Sequence, residues 1–510
     1  MKNRKIKTLI LSLATLIPAL LFGQTSELTL TLDGACRLAE SSSLSQFINK
    51  NNFLSNYWQY KSYKANFLPE LSLNSRLLSY QNSNNLRYNS VTKTDDYVHT
   101  QNLNSNISAS IRQNVGLTGG SLFISSNLDR NQNFGDEAYT QYASRPFTIG
   151  YNQKMFGYNE LKWSRILEPK RYEKAKRQYL YGLQQLYITT CTYFFSYALA
   201  MENLKIAQYN IGQTEKMVHI ARERFKLGTY EKDQLLQLEL ESNNQSIKLK
   251  ECEIAERKSR EKLMSFLRLP TTKEIKIILP SVYSIQIDER EALDLAKASN
   301  VQMLENELTL LQDKANVART KANASFQANL GLSYGINKTD GMYDYKKQEP
   351  NNGTIPNVYK PSFDDYQSVQ LTLTIPILDW GRRRGEVQKA KSQQEVNRIK
   401  VEQSIIDFEQ MILTNVLEFN IQYDKVKASE RSQQISEDSY KLISQRFMNG
   451  SVEVMQLNNA QMKRSSALVS VIQSKFNFWK SYYTVRLNTM YDFKQQQKLE
   501  VDFDELIKRY

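Results

Sequence analysis

His99 and His219 are the only imidazoles in the 510 residues, and Cys36, Cys191 and Cys252 the only thiols. A structural zinc site needs about four such ligands, usually closely spaced in pairs, and these five are scattered with no C-x-x-C pair among them. The thiols read as isolated small hydrophobes at helical positions. There is no G-x-S-x-G, H-E-x-x-H or G-x-x-x-x-G-K-[ST], so an activated serine, a zinc hydrolase helix and a phosphate-cradling loop are not expected. Carboxylates abound without visible convergence. The chain reads as a non-enzyme that takes no cofactor and no metal. A formal charge of +14 would permit a nucleic-acid partner, but no basic recognition helix accompanies it.

What recurs is a different kind of constellation. Residues 224–235 read RFKLGTYEKDQL and residues 446–457 read RFMNGSVEVMQL. Arg224, Phe225, Gly228, Glu231, Gln234 and Leu235 return as Arg446, Phe447, Gly450, Glu453, Gln456 and Leu457, each 222 positions later, with Thr229 matched by Ser451. Such self-similarity marks a duplicated unit. Each glycine is expected to take the left-handed conformation that closes one helix, and Thr229 or Ser451 to cap the next, so each motif is the tip of a helical hairpin.

The elements that must carry these tips are long. Only 18 glycines and 10 prolines interrupt the chain, and some 68 residues with hardly a breaker precede each tip, from about Glu160 and about Arg382. At 1.5 Å per residue each stretch predicts about 100 Å of helix. Pro169 predicts a kink or a late start in the first. Ile405, Phe408, Ile412, Val416 and Phe419 form one apolar stripe, Leu468, Ile472, Phe476, Trp479, Tyr483 and Leu487 another, and Leu240, Ile247 and Ile254 fall seven apart. These spacings predict side-by-side, coiled-coil-like packing.

The remaining part of each repeat alternates with period two. Phe326, Ala328, Leu330, Leu332, Tyr334 and Ile336 form one such run, and Val369, Leu371, Leu373 and Ile375 another. They read as strands of about transmembrane length, joined by a polar loop from about Asn337 to Asp365. The first repeat has counterparts at Leu68–Tyr80 and Phe147–Gln153. Between these lie about 35 extra residues. Ile107, Ala109 and Ile111, a turn at Gly119–Gly120, then Leu122, Ile124 and Ser126 predict an added hairpin whose place is left open. No apolar run beyond residue 23 is long enough for a membrane helix, and the mean hydropathy is −0.55, so a membrane role would fall to the strands. At the start, Lys2, Arg4, Lys5 and Lys7 precede an apolar Leu9–Phe22 stretch, which predicts a signal peptide over 1–23 cut near Gly23. No cysteine stands at that point for a lipoprotein anchor.

This order of elements, given twice, resembles the TolC-like outer membrane efflux family. KANFLPELSL (64–73) is similar to the family's helix-to-strand junction and LTIPILDWGRRR (373–384) to its strand-to-helix junction. The two RFxxG[ST] tips resemble its periplasmic hairpin ends, and LRLPTTKEI (267–275) its inter-repeat connector. At the first strand-to-helix junction Lys154 and Phe156 replace the Pro376 and Leu378 of the second. The division read from the chain is a first repeat over 24–287, with a β segment at about 68–157, a helical hairpin at about 160–266 and a connector at 267–287. A second repeat covers 288–492, with a β segment at about 325–378 and a hairpin at about 381–490, and 493–510 is a tail.

The resemblance implies a long α-helical coiled-coil barrel continuous with a transmembrane β-barrel, shared by a homotrimer to which each chain gives about four strands. Four strands cannot close a barrel in lipid, so self-association would be a condition of folding. The implied function is an outer-membrane export duct of a tripartite efflux or type I secretion system, set in outer-membrane lipid. Its implied partners are a periplasmic adaptor and an inner-membrane efflux or ABC pump. The implied adaptor contacts are Arg224, Phe225, Gly228, Thr229, Glu231, Arg446, Phe447, Gly450, Ser451 and Glu453. Where the family's type protein has acidic residues just after the second tip, Gln456 and Asn459 stand here, so a periplasmic constriction would lack an acidic ring. The rival reading is a periplasmic coiled-coil scaffold or adhesin.

Overall fold

The computed structural model describes residues 28–89, 92–134, 138–270, 275–342 and 360–508. The expected signal peptide lies outside them, as do part of the connector and much of the loop expected in the second repeat.

The first repeat runs β1 (Leu28–Thr31), α1 (Leu32–Ser42), α2 (Leu44–Ala65), four strands β2 (Glu70–Asn89), β3 (Thr94–Val115), β4 (Gly120–Phe134) and β5 (Tyr139–Met155), then α3 (Glu160–Lys226) and α4 (Lys232–Leu267). After β6 (Ile275–Ile278) the second repeat runs α5 (Glu289–Ser299), α6 (Val301–Ala324), β7 (Gln327–Met342), β8 (Lys360–Thr374), α7 (Arg382–Asn420), α8 (Gln422–Met448) and α9 (Val454–Thr489). Two short strands, β9 (Tyr491–Asp492) and β10 (Gln497–Lys498), and α10 (Phe503–Lys508) follow. Short polar side chains open several helices. Thr31 Oγ1 accepts from the Gly34 N–H at 3.1 Å, Asp288 Oδ1 from Arg290 and Glu291 at 2.9 Å, and Asn300 Oδ1 from Gln302 at 2.8 Å, each satisfying donors a helix start leaves unpaired.

The chain divides into two compact units, and each draws on both repeats. One comprises 28–44, 187–283 and 424–480. Its core includes Phe194, Phe195, Leu263, Met264, Leu267 and Phe478, all but sealed from solvent, and β1 pairs in parallel with β6. The other comprises 45–186, 284–423 and 481–508. In it α6 lies against α3 through Leu304, Leu308 and Ala315 on Leu167, and against α7 through Asn397 Nδ2, which donates to both oxygens of Asp313. This packing spans the region of Pro169, and α3 starts at Glu160 and passes through the proline, so the expected late start does not occur.

Two helical expectations need correction. The second long stretch is broken at Ile421, between α7 and α8. Asn420 there turns its amide on the backbone of Ile287, accepting from its N–H and donating to its carbonyl, both at 3.0 Å. No spacing within the helix announces that distant partner. The Phe408, Ile412, Val416 and Phe419 stripe is buried, as are Trp479, Tyr483 and Leu487, but Leu240, Ile247 and Ile254 are 62 %, 60 % and 68 % exposed. Among the described residues the heptad stripe of α4 is left uncovered.

Among the described residues the sheet has six strands, not four, in the order β2-β3-β4-β5-β7-β8, every neighbouring pair antiparallel. The added hairpin is β3 and β4, turning where Gly119 takes φ +78°, and it is inserted between β2 and β5 as part of the sheet. The strands also outrun the alternating segments: β2 continues to Asn89, and β7 and β8 extend into the expected loop. The far end of β2 is rich in Asn and Ser and those of β7 and β8 in other polar residues, so the ladder continues where the hydrophobic alternation has stopped.

Candidate functional site

Both hairpin tips lie in the first unit and close by the same backbone device. At the first, Gly228 has φ +70°, its N–H donates to Phe225 O at 3.0 Å and the Thr229 N–H to Arg224 O at 3.0 Å. At the second, Gly450 has φ +75°, its N–H donates to Phe447 O and the Ser451 N–H to Arg446 O, both at 2.9 Å. This double bond pattern requires a left-handed residue, which glycine supplies without steric cost. Contrary to the expectation from sequence, Thr229 and Ser451 do not open the following helices. The Thr229 hydroxyl donates back to Arg224 O at 3.0 Å, and α4 is entered from Glu231. Likewise the Glu453 carbonyl accepts from Gln456 and Leu457 at the start of α9.

Nearly identical wording has two different uses. Phe447 is 4 % exposed, whereas Phe225 is 41 % exposed. Phe447 belongs to the core formed by Met217, Val218, Leu238, Tyr440, Val454 and Leu457. The Arg224 guanidinium reaches across to the other tip and donates to Met448 O at 2.5 Å, one of the carbonyls a helix end leaves unpaired. Arg446 is exposed and has no ion pair or side-chain hydrogen bond among the described residues. Glu231, Glu453, Gln456 and Asn459 are exposed as well.

Behind the tips, Arg464 of α9 pairs with Glu437 of α8 and stacks on Tyr209 and Tyr440 at 4.4 and 5.3 Å. Burial, then the neighbouring Tyr209, pushes the Tyr440 hydroxyl up to about 12. Beside this bracket a groove of about 770 Å³ is lined by amides, including Asn203, Asn210, Asn244 and Asn459, with Leu240 and Met462. Gln456 is not among its walls. The sequence signals neither bracket nor groove, because both join residues from separate hairpins.

The sheet, in the second unit, sorts its side chains by face. Leu71, Ile111, Ile124, Ile149 and Tyr334 stand side by side in one row, and Leu122, Tyr151, Leu332 and Val369 in another. One residue along, on the opposite face, the row reads Ser72, Ser110, Ser125, Thr148, Gly335 and Tyr366. Phe123 and Tyr366 also fall on this polar face, each lying over a neighbouring-strand glycine: a Cβ at Gly150 would meet Phe123 Cζ at 2.3 Å, and one at Gly335 would meet Tyr366 Cε1 at 2.6 Å. Most of the apolar row residues, among them Leu71, Ile111, Leu122 and Val369, are exposed. The two edges, β2 and β8, have no strand partner on their outer side among the described residues.

Several of the basic residues near the starts of α3 and α7 are paired. Lys170 meets Glu307 at 2.6 Å and Lys174 meets Glu305 at 2.7 Å, Arg171 meets Glu168, and Arg383 meets Asp379 at 3.5 Å. They act first as struts between helices and as helix-end pairs. No group of three or more His, Cys, Asp or Glu among the described residues could hold a metal ion.

Residues 292–477 match the family described as outer membrane efflux protein. The structure is similar to the Campylobacter jejuni CmeC outer membrane channel, with a TM-score of 0.65 at 12% identity over 94% of this chain and 88% of that one. It is similar to the outer membrane protein VceC of Vibrio cholerae, with a TM-score of 0.59 at 11% identity over 92% and 97%. The open-state MtrE outer membrane channel of Neisseria gonorrhoeae gives 0.58 at 14% identity over 92% and 91%. No curated protein sequence matches. The resemblance to the TolC-like outer membrane efflux proteins is thereby borne out in the second repeat and in the fold.

Proposed function

We propose that the chain is one of three identical subunits of an outer-membrane efflux channel that works with a periplasmic adaptor and an inner-membrane pump. The observation that carries this reading is the sheet: one face apolar and uncovered, the other polar, and both edges open. Exposed apolar surface of that extent is unusual on a soluble protein, and open edges are not tolerated in lipid, so the sheet needs copies of itself to close. The exposed heptad stripe on α4 supports self-association independently. Such a duct does no bond chemistry; the polar face lines its passage.

The tips are the proposed adaptor contacts, and their asymmetry divides the labour. Arg446, Phe225, Glu231 and Glu453 are available to a partner, whereas Arg224, Phe447 and both glycines hold the tips in shape. Gln456 and Asn459 are the proposed uncharged constriction.

The test is fractionation followed by planar-bilayer recording of the purified complex. A channel stays in the membrane at high salt, has the mass of three chains and conducts. A periplasmic scaffold or adhesin would be released by salt and would not conduct.

A further inference from the structure

We infer that the inserted hairpin β3–β4 is part of the membrane wall itself, so that three chains close an eighteen-stranded barrel with β8 of one chain pairing with β2 of the next. The count rests on the three-chain channel proposed above and on the six strands of the sheet.

The hairpin carries its own share of the membrane-facing belt. Ile107, Ile111, Leu122 and Leu128 are exposed, and the register sets Ile111 and Ile124 in one unbroken row with Leu71 of β2 and Ile149 of β5. A hairpin projecting into water would have no reason to continue that row. Its other face continues the polar one: the Ser110 and Ser72 hydroxyls are 2.9 Å apart across β2 and β3, and Ser125 pairs with Thr148 across β4 and β5. Both faces are therefore continuous through the insertion.

A barrel's diameter grows roughly in proportion to strand number, so eighteen strands instead of twelve give a wall about 1.5-fold wider, in the range of strand counts that leaves an aqueous channel. Small neutral groups, Ser72, Ser110, Ser125, Thr148, Ser333 and Ser368, line much of the inner face. The same register turns Arg112, Asp129 and Arg145 to that face, so the membrane section is a wide polar passage that carries charges of both signs.

Single cysteines at Ile107→Cys and Ser108→Cys, which point to opposite faces of β3, test the placement. The three native cysteines are buried, which keeps background labelling low. In the membrane-embedded complex a water-soluble charged maleimide should label S108C at least tenfold faster than I107C, and S72C/S110C should form an intrachain disulfide. Equal labelling in a three-chain complex, with no S72C/S110C bond, places the hairpin outside the wall and overturns the inference while leaving the channel reading intact. Where these variants fail to assemble, the strand count of the wild-type complex by cryo-electron microscopy decides: eighteen supports the wall and twelve refutes it. A native mass other than three chains overturns the reading on which the count rests.

Discussion

Arg224 and Arg446 occupy equivalent places in the repeat, and the structure predicts that their removal has unequal consequences. The Arg224 guanidinium donates to Met448 O at 2.5 Å, tying one tip to the carbonyl end of the helix that forms the other. A hydrogen bond from a charged donor contributes about 1.5–3 kcal/mol net when well shielded, and a cation at a helix C-terminus adds about 0.3–1 kcal/mol at the surface. The site is half-exposed, so screening and side-chain entropy reduce the sum to about 1–2 kcal/mol. Arg224→Ala should therefore raise the open population of the second tip roughly 5–30-fold. Hydrogen exchange at the Gly450 and Ser451 amides, whose bonds to Phe447 O and Arg446 O close that tip, reads this directly. Arg446 has no partner among the described residues, and Arg446→Ala should change exchange there by no more than about 0.5 kcal/mol. Equal effects of the two substitutions, or a larger one from Arg446, would refute the assignment of different roles to the two arginines.

The two phenylalanines should part in the same way. Phe447→Ala opens a cavity among packed neighbours and should cost about 3–5 kcal/mol in tip stability, whereas the half-exposed Phe225 should cost under about 1 kcal/mol, both measured by exchange in α8 and α9. Gly150→Ala should weaken the sheet by about 1–3 kcal/mol, because the new methyl would meet the Phe123 ring and also Leu332 O at 2.8 Å; adding Phe123→Ala should recover part of the loss in heat-modifiability of the assembled protein. The Tyr440 hydroxyl is pushed up to about 12, so between its ordinary value near 10 and about 12 the folded form keeps a proton that the unfolded form has lost. Its contribution is intact below pH 10 and falls as pH rises through that window. Tyr440→Phe should flatten that part of the alkaline melting curve, and an unchanged slope would count against burial as the cause.

The sequence makes legible whatever is written at short range. The tip glycines sit where a left-handed residue was needed, and the duplicated motif marks both turns because a helix end is closed by its own last few residues. The alternation in Leu68–Tyr80, Phe326–Ile336 and Val369–Ile375 marks strands because each side chain there chooses between two unlike surroundings. What the sequence conceals depends on partners far along the chain. The break at Ile421 follows from Asn420 meeting Ile287, and the Arg464 bracket from Glu437 and Tyr209 on other helices. The α4 stripe shows the converse: its spacing reads as a packing surface, yet Leu240, Ile247 and Ile254 stay exposed among the described residues.

The strand count has a topological reason as well. The sheet is entered at β2 from α2 and left at β5 into α3, and antiparallel strands reverse direction at each step. Two strands or four bring the chain back to the side on which it entered; one or three would deliver α3 to the opposite side and part it from α6, against which it packs. An insertion that keeps the helical packing must therefore add strands in pairs, and the hairpin is the smallest unit that does so. The same alternation keeps the two outer strands antiparallel to each other, so a further copy can pair head to tail at either edge. The insertion thus changes the width of the sheet while leaving its edges and its helices related as they would be without it.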